Sequence, residues 1–253
     1  MRLRACGDTH VGMRRKVNQD AFLIDEDVGF FIVADGMGGH AGGEIASQET
    51  VDAVHDMIVR NRGVIEDFAS KPISQDSSRA ICRLLESSVQ SATYMVYGMA
   101  EQSPAHQGMG TTVSAMLIAG AFAITAQVGD SRIYCIRDGE SLQLTEDHTL
   151  VNWQIREGVI TREQAENAPY KNIITRAVGS KDYVDVDTQI LSVCVNDQFL
   201  LCSDGLHGYL QRDEIAEIFS GAFDEVCGKM ISLANDRGGK DNITSVAVQI
   251  LEK

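Results

Sequence analysis

Proline is nearly missing from this chain, with 3 among 253 residues. No Pro, Gly or Ser tract, repeat or low-complexity stretch interrupts it. With 44% hydrophobic residues, that pattern suits one large globular domain or two small ones and excludes modules strung on long linkers. Long apolar runs are also missing. The longest uncharged apolar-rich stretch, roughly 113–128 (VSAMLIAGAFAITAQV), contains Ser, Thr, Gln and Gly. It reads as two short strands turning at Gly120, not as a membrane span, which needs about 20 apolar residues. The opening MRLRACGDTH lacks the apolar core of a signal peptide, so a cytoplasmic location is expected. The 6 cysteines show no C-x-x-C spacing, and none has an arginine six positions downstream. A Cys-x5-Arg phosphatase loop is therefore absent, and reduced thiols are expected. Positive charge is scarce: 22 basic against 36 acidic residues leave a net charge of −14. Nucleic acid and anionic membranes are poor partners for such a surface.

What the chain does have is a set of strand-like runs that end in aspartate. The run GFFIVAD is continuously hydrophobic and closes on Asp35, and the following loop, within VADGMGGHAGGE (33–44), is mostly side-chain-free. Either that loop merely turns, or its backbone must approach something closely. Strands are expected near 3–9, 20–25, 28–35, 112–119, 122–129, 132–138, 185–192, 197–203 and 243–251. In the last of these, Val246, Val248 and Ile250 alternate with Ala247 and Gln249, as in a half-exposed strand. Helices are expected at about 43–62, 76–102, 212–219 and 223–236. The second carries Ile81, Leu85, Ala92, Val96 and Met99 down one face as core. Hairpin-length gaps, one carrying Asp-Gly in IRDGES, point to antiparallel sheets with helices on their faces. Region 147–179 departs from this pattern. It reads as two short helices, the second opened by a Thr161-x-x-Gln164 capping pattern and stopped before Pro169. It is either an insert lying over the sheets or a pair of ordinary surface helices.

The aspartate-at-strand-end arrangement recurs. Asp35, Asp130 and Asp204 close strand-like runs, Asp20 opens one and Asp241 precedes one. An unpaired carboxylate at a core margin costs several kcal/mol, on the order of magnitude given by buried-ion studies, and clustering adds repulsion. Arg132 and Lys240 are the nearest basic partners in these motifs. A shared cation would stabilise the whole set, whereas separate turn aspartates would explain each one singly. Asp oxygens and glycine-freed carbonyls, without a Cys/His quartet, suit Mg²⁺ or Mn²⁺ rather than Zn²⁺. A calcium helix–loop–helix is excluded, because Asp25-x-Asp27 has Gly36 where a glutamate is needed. More than three separated carboxylates suit two ions acting together at phosphorus.

The segments RKVNQD, VADGMGGHAGGE, GMGTT, VGDSRIY, LLCSDGL and GGKDNIT occur in that order. In this respect the chain resembles the metal-dependent protein serine/threonine phosphatases of the PPM type, bacterial branch, from about residue 5 to 250. The resemblance implies an α+β fold, a four-layer αββα sandwich of two antiparallel sheets flanked by helices. It also implies a single catalytic domain over 1–253 with a flap insert at about 147–179. The activity implied is hydrolysis of phosphoserine and phosphothreonine esters in proteins by a hydroxide bridging two Mn²⁺ or Mg²⁺ ions, without a phosphoenzyme. A cognate serine/threonine kinase among the substrates and a monomeric state accompany it.

Carried over by position, the resemblance makes Asp35 the bridge between the two core metals, with the Gly36 carbonyl as a further ligand. Asp204 and Asp241 match the other core-metal carboxylates, and Asp20 an acidic position that binds metal through water. Asp130 matches a ligand of a third, looser ion, and Arg15 the arginine that grips the substrate phosphate. Two departures stand out. Gln19 replaces an acidic residue, and His40 lies three positions beyond the histidine of the eukaryotic branch. His40 is thus either a general acid or a loop-packing histidine, a metal-bound water being the other proton donor. Two rival readings are a catalytically inactive phosphoprotein-binding regulator of the same fold, and a calcineurin-like metallophosphoesterase suggested by Asp8-x-His10. The second needs a later Gly-Asn-His-Asp/Glu segment, which this sequence does not contain.

Overall fold

A computed structural model describes residues 2–38, 42–166 and 168–252. The chain begins with β1 (Arg2–His10), β2 (Asp20–Asp25) and β3 (Phe30–Met37), then three helices, α1 (Gly42–Arg60), α2 (Arg62–Ser70) and α3 (Gln75–Gln102). Next come β4 (Gly110–Thr111), β5 (Val113–Ala119), β6 (Phe122–Val128), β7 (Arg132–Arg137) and β8 (Glu140–Gln143). Two short helices, α4 (Leu150–Arg156) and α5 (Arg162–Glu166), precede β9 (Asp187–Ser192) and β10 (Gln198–Cys202). The chain closes with α6 (Asp204–His207), α7 (Arg212–Phe219), α8 (Val226–Asp236) and β11 (Ile243–Leu251).

The strands form two antiparallel sheets, one ordered β1-β11-β10-β7-β8 and the other β2-β3-β5-β6-β9, with β4 attached to β3. β3 shows why its run is continuous rather than alternating. Phe30, Ile32 and Ala34 pack with α1 and α3 side chains such as Val51, Val54 and Leu85. Phe31 and Val33 point the other way, into a core shared with Phe199, Leu201, Val246 and Val248 of the opposite sheet. A third core joins Leu200 and Ala247 to Ile215, Met230 and Ile231 of α7 and α8. Helices, sheet, sheet, helices: the four-layer αββα sandwich is the architecture. Because the inner layers are covered on both faces, truncating Phe31 or Phe199 to alanine removes contacts that cost about 3–5 kcal/mol.

Several expectations need correction. β11 is not half exposed, because Ala247 lies fully buried under α8 while Val246 and Val248 fill the inter-sheet core. The expected helix over 43–62 ends at Arg60, and a separate α2 follows. Its Phe68 and Ile65 join the core beneath α1 and α3, which a reading of local periodicity passed over. α8 begins at Val226, residues 223–225 forming a 3-10 turn. The expected helix at 76–102 starts at Gln75 and is capped by Ser74, whose hydroxyl accepts from the Ser77 amide.

Candidate metal centre

β2 and β3 pair so that Asp20 lies directly opposite Asp35. Strand alternation places Asp35 on the face of Phe31 and Val33, and Asp20 on the face of Phe22 and Ile24, which is the inter-sheet face. Both carboxylates therefore emerge at the end of the layer between the two sheets. The backbone of Asp35 is held by the GMGTT segment. Its amide donates to Thr112 Oγ1 at 2.9 Å, and its carbonyl accepts from the Thr112 amide and from Thr111 Oγ1. Thr112 Oγ1 also shares a 2.7 Å hydrogen bond with Ser131, beside Asp130. Gly36 is required sterically, because a Cβ there would be driven into the carbonyl oxygens of Gly43 and Gln19. The side-chain-free loop thus lets α1 close onto β3 and leaves the Gly36 backbone beside Asp35.

Asp20 sits at the end of a hydroxyl chain. Asn18 donates to Thr9, which bonds Thr244, and Thr244 donates to Asp20 Oδ2 at 2.7 Å. Ser203 donates to the same oxygen at 2.8 Å, while Oδ1 of Asp20 is buried without a hydrogen-bond partner. Burial, opposed by these hydroxyls and reinforced by Asp204 and Asp241, pushes Asp20 up to about 7. Asp35 is held well above the usual carboxylate range by desolvation and by the fields of Asp20, Asp204, Asp130 and Asp241, in that order. Asp130, in the turn from β6 to β7, is pushed to about 7 by burial and Asp204. Asp204, the first residue of α6, is raised by burial and Asp241. The adjacent Asp35 carboxyl opposes that rise.

Desolvation and mutual repulsion thus act together on one set of carboxylates, drawn from both sheets. That donor set fits divalent cations of the hard class: all oxygen, with one buried carboxylate oxygen left without a partner. As they stand, no three acidic, histidine or cysteine side chains among the described residues converge closely enough to hold an ion. Asp241 is instead paired with Arg15, whose Nη2 donates to Oδ2 at 2.7 Å. The same salt bridge, with Asp35 and Asp204 nearby, raises the Arg15 pKa further. The structure therefore places Asp20, Asp35, Asp130, Asp204, Asp241 and Arg15 within electrostatic reach of one another, though not closed on a common point, with the Gly36 backbone following Asp35. His40 lies outside the described residues.

Several residues that position this group were not singled out from sequence. Asn242 accepts from the Gln19 amide and donates to the carbonyls of Val11 and Val17, which ties the Arg15 loop to the start of β11. Gly205 admits the Asn242 carbonyl against α6, where any Cβ would collide. His207 Nε2 donates to the Asp130 carbonyl at 2.9 Å, and desolvation with nearby Arg132 holds this histidine near 4, neutral at physiological pH. The signal was available in GGKDNIT and CSDGLH, but small polar residues beside a motif acquire meaning only from their partners.

Segment 147–179 rises from the same end. Asp147 takes a bidentate pair from Arg132 at 2.6–3.1 Å, and His148 exchanges hydrogen bonds with Gly129. Its far end is fixed by reciprocal backbone bonds between Thr111 and Val178. The Thr161–Gln164 capping box forms as its sequence indicates. Val151, Ala165, Lys171 and Asn172 of this segment face Asp130, Asp204, Asp241 and Lys240 across a cavity of about 480 Å³. Asp8 and His10 take no part in the cluster. They bond the Thr9 and Gly12 amides.

The geometry can be set beside known proteins. The family description for protein phosphatase 2C matches residues 6–246. A serine/threonine phosphatase stp of Listeria welshimeri is 35% identical over 246 residues, 95% of this chain and 93% of its own. The solved serine/threonine phosphatase PstP/Ppp of Mycobacterium tuberculosis superposes with a TM-score of 0.87 at 31% identity, covering 100% of both chains. A PstP catalytic domain in complex with two manganese ions superposes with a TM-score of 0.83 at 31% identity, covering 99% of both chains. With its αββα layers, its carboxylate cluster and a match across nearly its whole length, the chain belongs to the protein phosphatase 2C family of metal-dependent phosphatases.

Proposed function

We propose that this protein hydrolyses phosphoserine and phosphothreonine esters of proteins at the carboxylate cluster. The observation that carries the reading is geometric: β2 and β3 set Asp20 against Asp35, one Asp20 oxygen is buried without a partner, and Arg15 contacts Asp241. Asp35, the Gly36 carbonyl, Asp204 and Asp241 would hold two Mn²⁺ or Mg²⁺ ions, Asp20 would act through water, and Asp130 would serve a third ion. When bound, such ions neutralise the phosphoryl oxygens as Lewis acids and lower the pKa of water.

The remaining work falls to the chain's own groups. Arg15 presents a planar fork to two phosphoryl oxygens, and its present partner Asp241 keeps it aimed at the site until phosphate arrives. The hydroxyl chain through Thr9, Thr244 and Ser203 orients Asp20 by one oxygen and leaves the other without a hydrogen-bond partner. Thr112 fixes the Asp35 backbone and the Asp130 turn against each other. His40 is assigned as the candidate general acid. Segment 147–179 is read as a flap over the cavity, within a single catalytic domain. Strong negative charge supports a protein substrate over nucleic acid or an anionic membrane. No helix among the described residues is long and apolar enough to cross a membrane. A cytoplasmic, monomeric enzyme with a cognate serine/threonine kinase among its substrates completes the reading.

The test is Mn²⁺-dependent turnover of phosphothreonine, phosphoserine and phosphotyrosine peptides side by side. The first two should be hydrolysed in preference to the third. Equal or greater turnover of phosphotyrosine, or none of any peptide with Mn²⁺ or Mg²⁺ present, refutes the proposal.

A further inference from the structure

Cys6 on β1 and Cys227 at the start of α8 lie 221 residues apart in sequence, yet their sulfurs are 3.5 Å apart. All six cysteines are free thiols. Cys6 is partly exposed, and Cys227 is buried. The strand brings a second residue to the same spot. Arg4, on the same face two positions earlier, lies over the Phe223 ring and pairs with Asp224, in the turn that leads into α8. Cys6 Sγ bonds the Phe223 carbonyl at 3.5 Å, and Cys227 Sγ the Cys6 carbonyl at 3.4 Å. Two thiols are thus held in register by contacts on either side.

We propose that Cys6 and Cys227 form a reversible redox pair, which hydroperoxides convert to a disulfide joining β1 to α8. The roles are unequal. Cys6 is the partly exposed sulfur that a hydroperoxide can reach, whereas Cys227 is buried behind it. Hydrogen bonding from Cys227 draws Cys6 toward its thiolate, against burial and the neighbouring Asp224 charge, with Arg4 a lesser aid. The Cys6 thiolate attacks one peroxide oxygen. The O–O bond breaks and Cys6 becomes a sulfenic acid. The departing hydroxide, or alkoxide from an organic hydroperoxide, takes up the proton that the Cys6 thiol released and leaves as water or alcohol. Cys227 then attacks the sulfenic sulfur. The S–S bond forms, the S–O bond breaks, and hydroxide leaves as water with the Cys227 proton. Two thiols are oxidised by one electron each, and one hydroperoxide is reduced by two. Forming the bond requires the sulfurs to close from 3.5 Å to about 2.05 Å.

The position of the pair matters. β1 feeds the loop bearing Arg15, and α8 feeds the loop bearing Asp241. The bond would tie together, behind the site, the two elements whose loops meet in the Arg15–Asp241 contact.

The test treats the full chain, with exposed Cys194 changed to serine, with hydrogen peroxide and then alkylates the denatured protein. The expected result is loss of two alkylatable thiols, a cross-linked peptide containing Cys6 and Cys227, and full recovery on reduction by dithiothreitol. In a further Cys227→Ser variant the reaction should stop at a dimedone-trappable sulfenic acid on Cys6. Retention of all thiols, a cross-link between other cysteines, or dimedone labelling elsewhere than Cys6 overturns the proposal.

Discussion

Two arginine–aspartate pairs flank the same carboxylate cluster, and they differ in construction. Arg15–Asp241 is a single contact, with side chains 52% and 38% exposed. Arg132–Asp147 is bidentate, with side chains 25% and 16% exposed, and is reinforced by Tyr134 and Gln143. An exposed, single-contact pair contributes on the order of 0–1 kcal/mol and separates at little cost. A desolvated, forked pair is costly to break from one side, by about 3–5 kcal/mol. The first therefore suits a position where phosphate and cation must displace existing partners. The second suits an anchor, and it fastens the root of segment 147–179 to β7. Charge pairing alone distinguishes nothing here; exposure and geometry do.

The comparison can be tested from its strongest consequence downward. If the Arg15 pair is a placeholder for cations and phosphate, chelation should abolish turnover and added Mn²⁺ or Mg²⁺ should restore it. Turnover undiminished after exhaustive EDTA would remove the metal from the argument. Asp204→Asn should lose about 1,000-fold in kcat, the scale expected when a principal electrostatic element is neutralised. Its metal-free Tm should hold or rise, since a repulsive charge has gone. Wild-type kcat in saturating Mn²⁺ would refute the role given to Asp204.

Arg15→Ala should lose about 100-fold in kcat/KM, equivalent to a charge-assisted contact of roughly 2–3 kcal/mol, and Arg15→Lys less. Neither should move Tm by more than about 2 °C. Arg132→Ala should do the reverse, costing about 3 kcal/mol of stability. A Tm drop for Arg15→Ala as large as that for Arg132→Ala would erase the distinction between the pairs.

A smaller effect concerns pH. Asp20 is raised to about 7 in the folded protein against 3.8 for an ordinary aspartate. The folded state therefore binds more protons than the unfolded one between these values, and stability falls as pH rises through that window. Metal-free wild type should lose thermal stability relative to Asp20→Asn as pH goes from 5 to 8. Parallel curves for the two proteins would show that Asp20 is not desolvated as described. The smallest effect is expected at Arg14→Ala, which should leave kcat/KM and Tm within about twofold and 1 °C, as for most exposed substitutions. If it proves as damaging as Arg15→Ala, phosphate recognition has been assigned to the wrong arginine.

Legibility from sequence followed the range of the interaction. The capping box at Thr161 and the buried run ending at Asp35 depend on near neighbours and could be read directly. β11 misled because its alternation of large and small residues resembles an exposed face, whereas Ala247 is small because α8 packs on it. α2 was missed because it follows Arg60 with only Asn61 between, so the helical pattern shows no clear break. Asn242 was passed over because its three partners, Val11, Val17 and Gln19, lie more than two hundred residues away.

By itself, then, the sequence determined which chemistry was available. The aspartates at strand ends, the glycines that bare the backbone and the order of six motifs are local properties, written in residue type and spacing. Tertiary structure decided what those residues do to one another. Only the pairing of β2 with β3 sets Asp20 against Asp35, and only the packing of two sheets brings Asp130 toward Asp204. The physical reason is that carboxylate repulsion, desolvation and ion pairing act through space over a few ångströms. Chain separation carries no information about such distances until the fold has closed them.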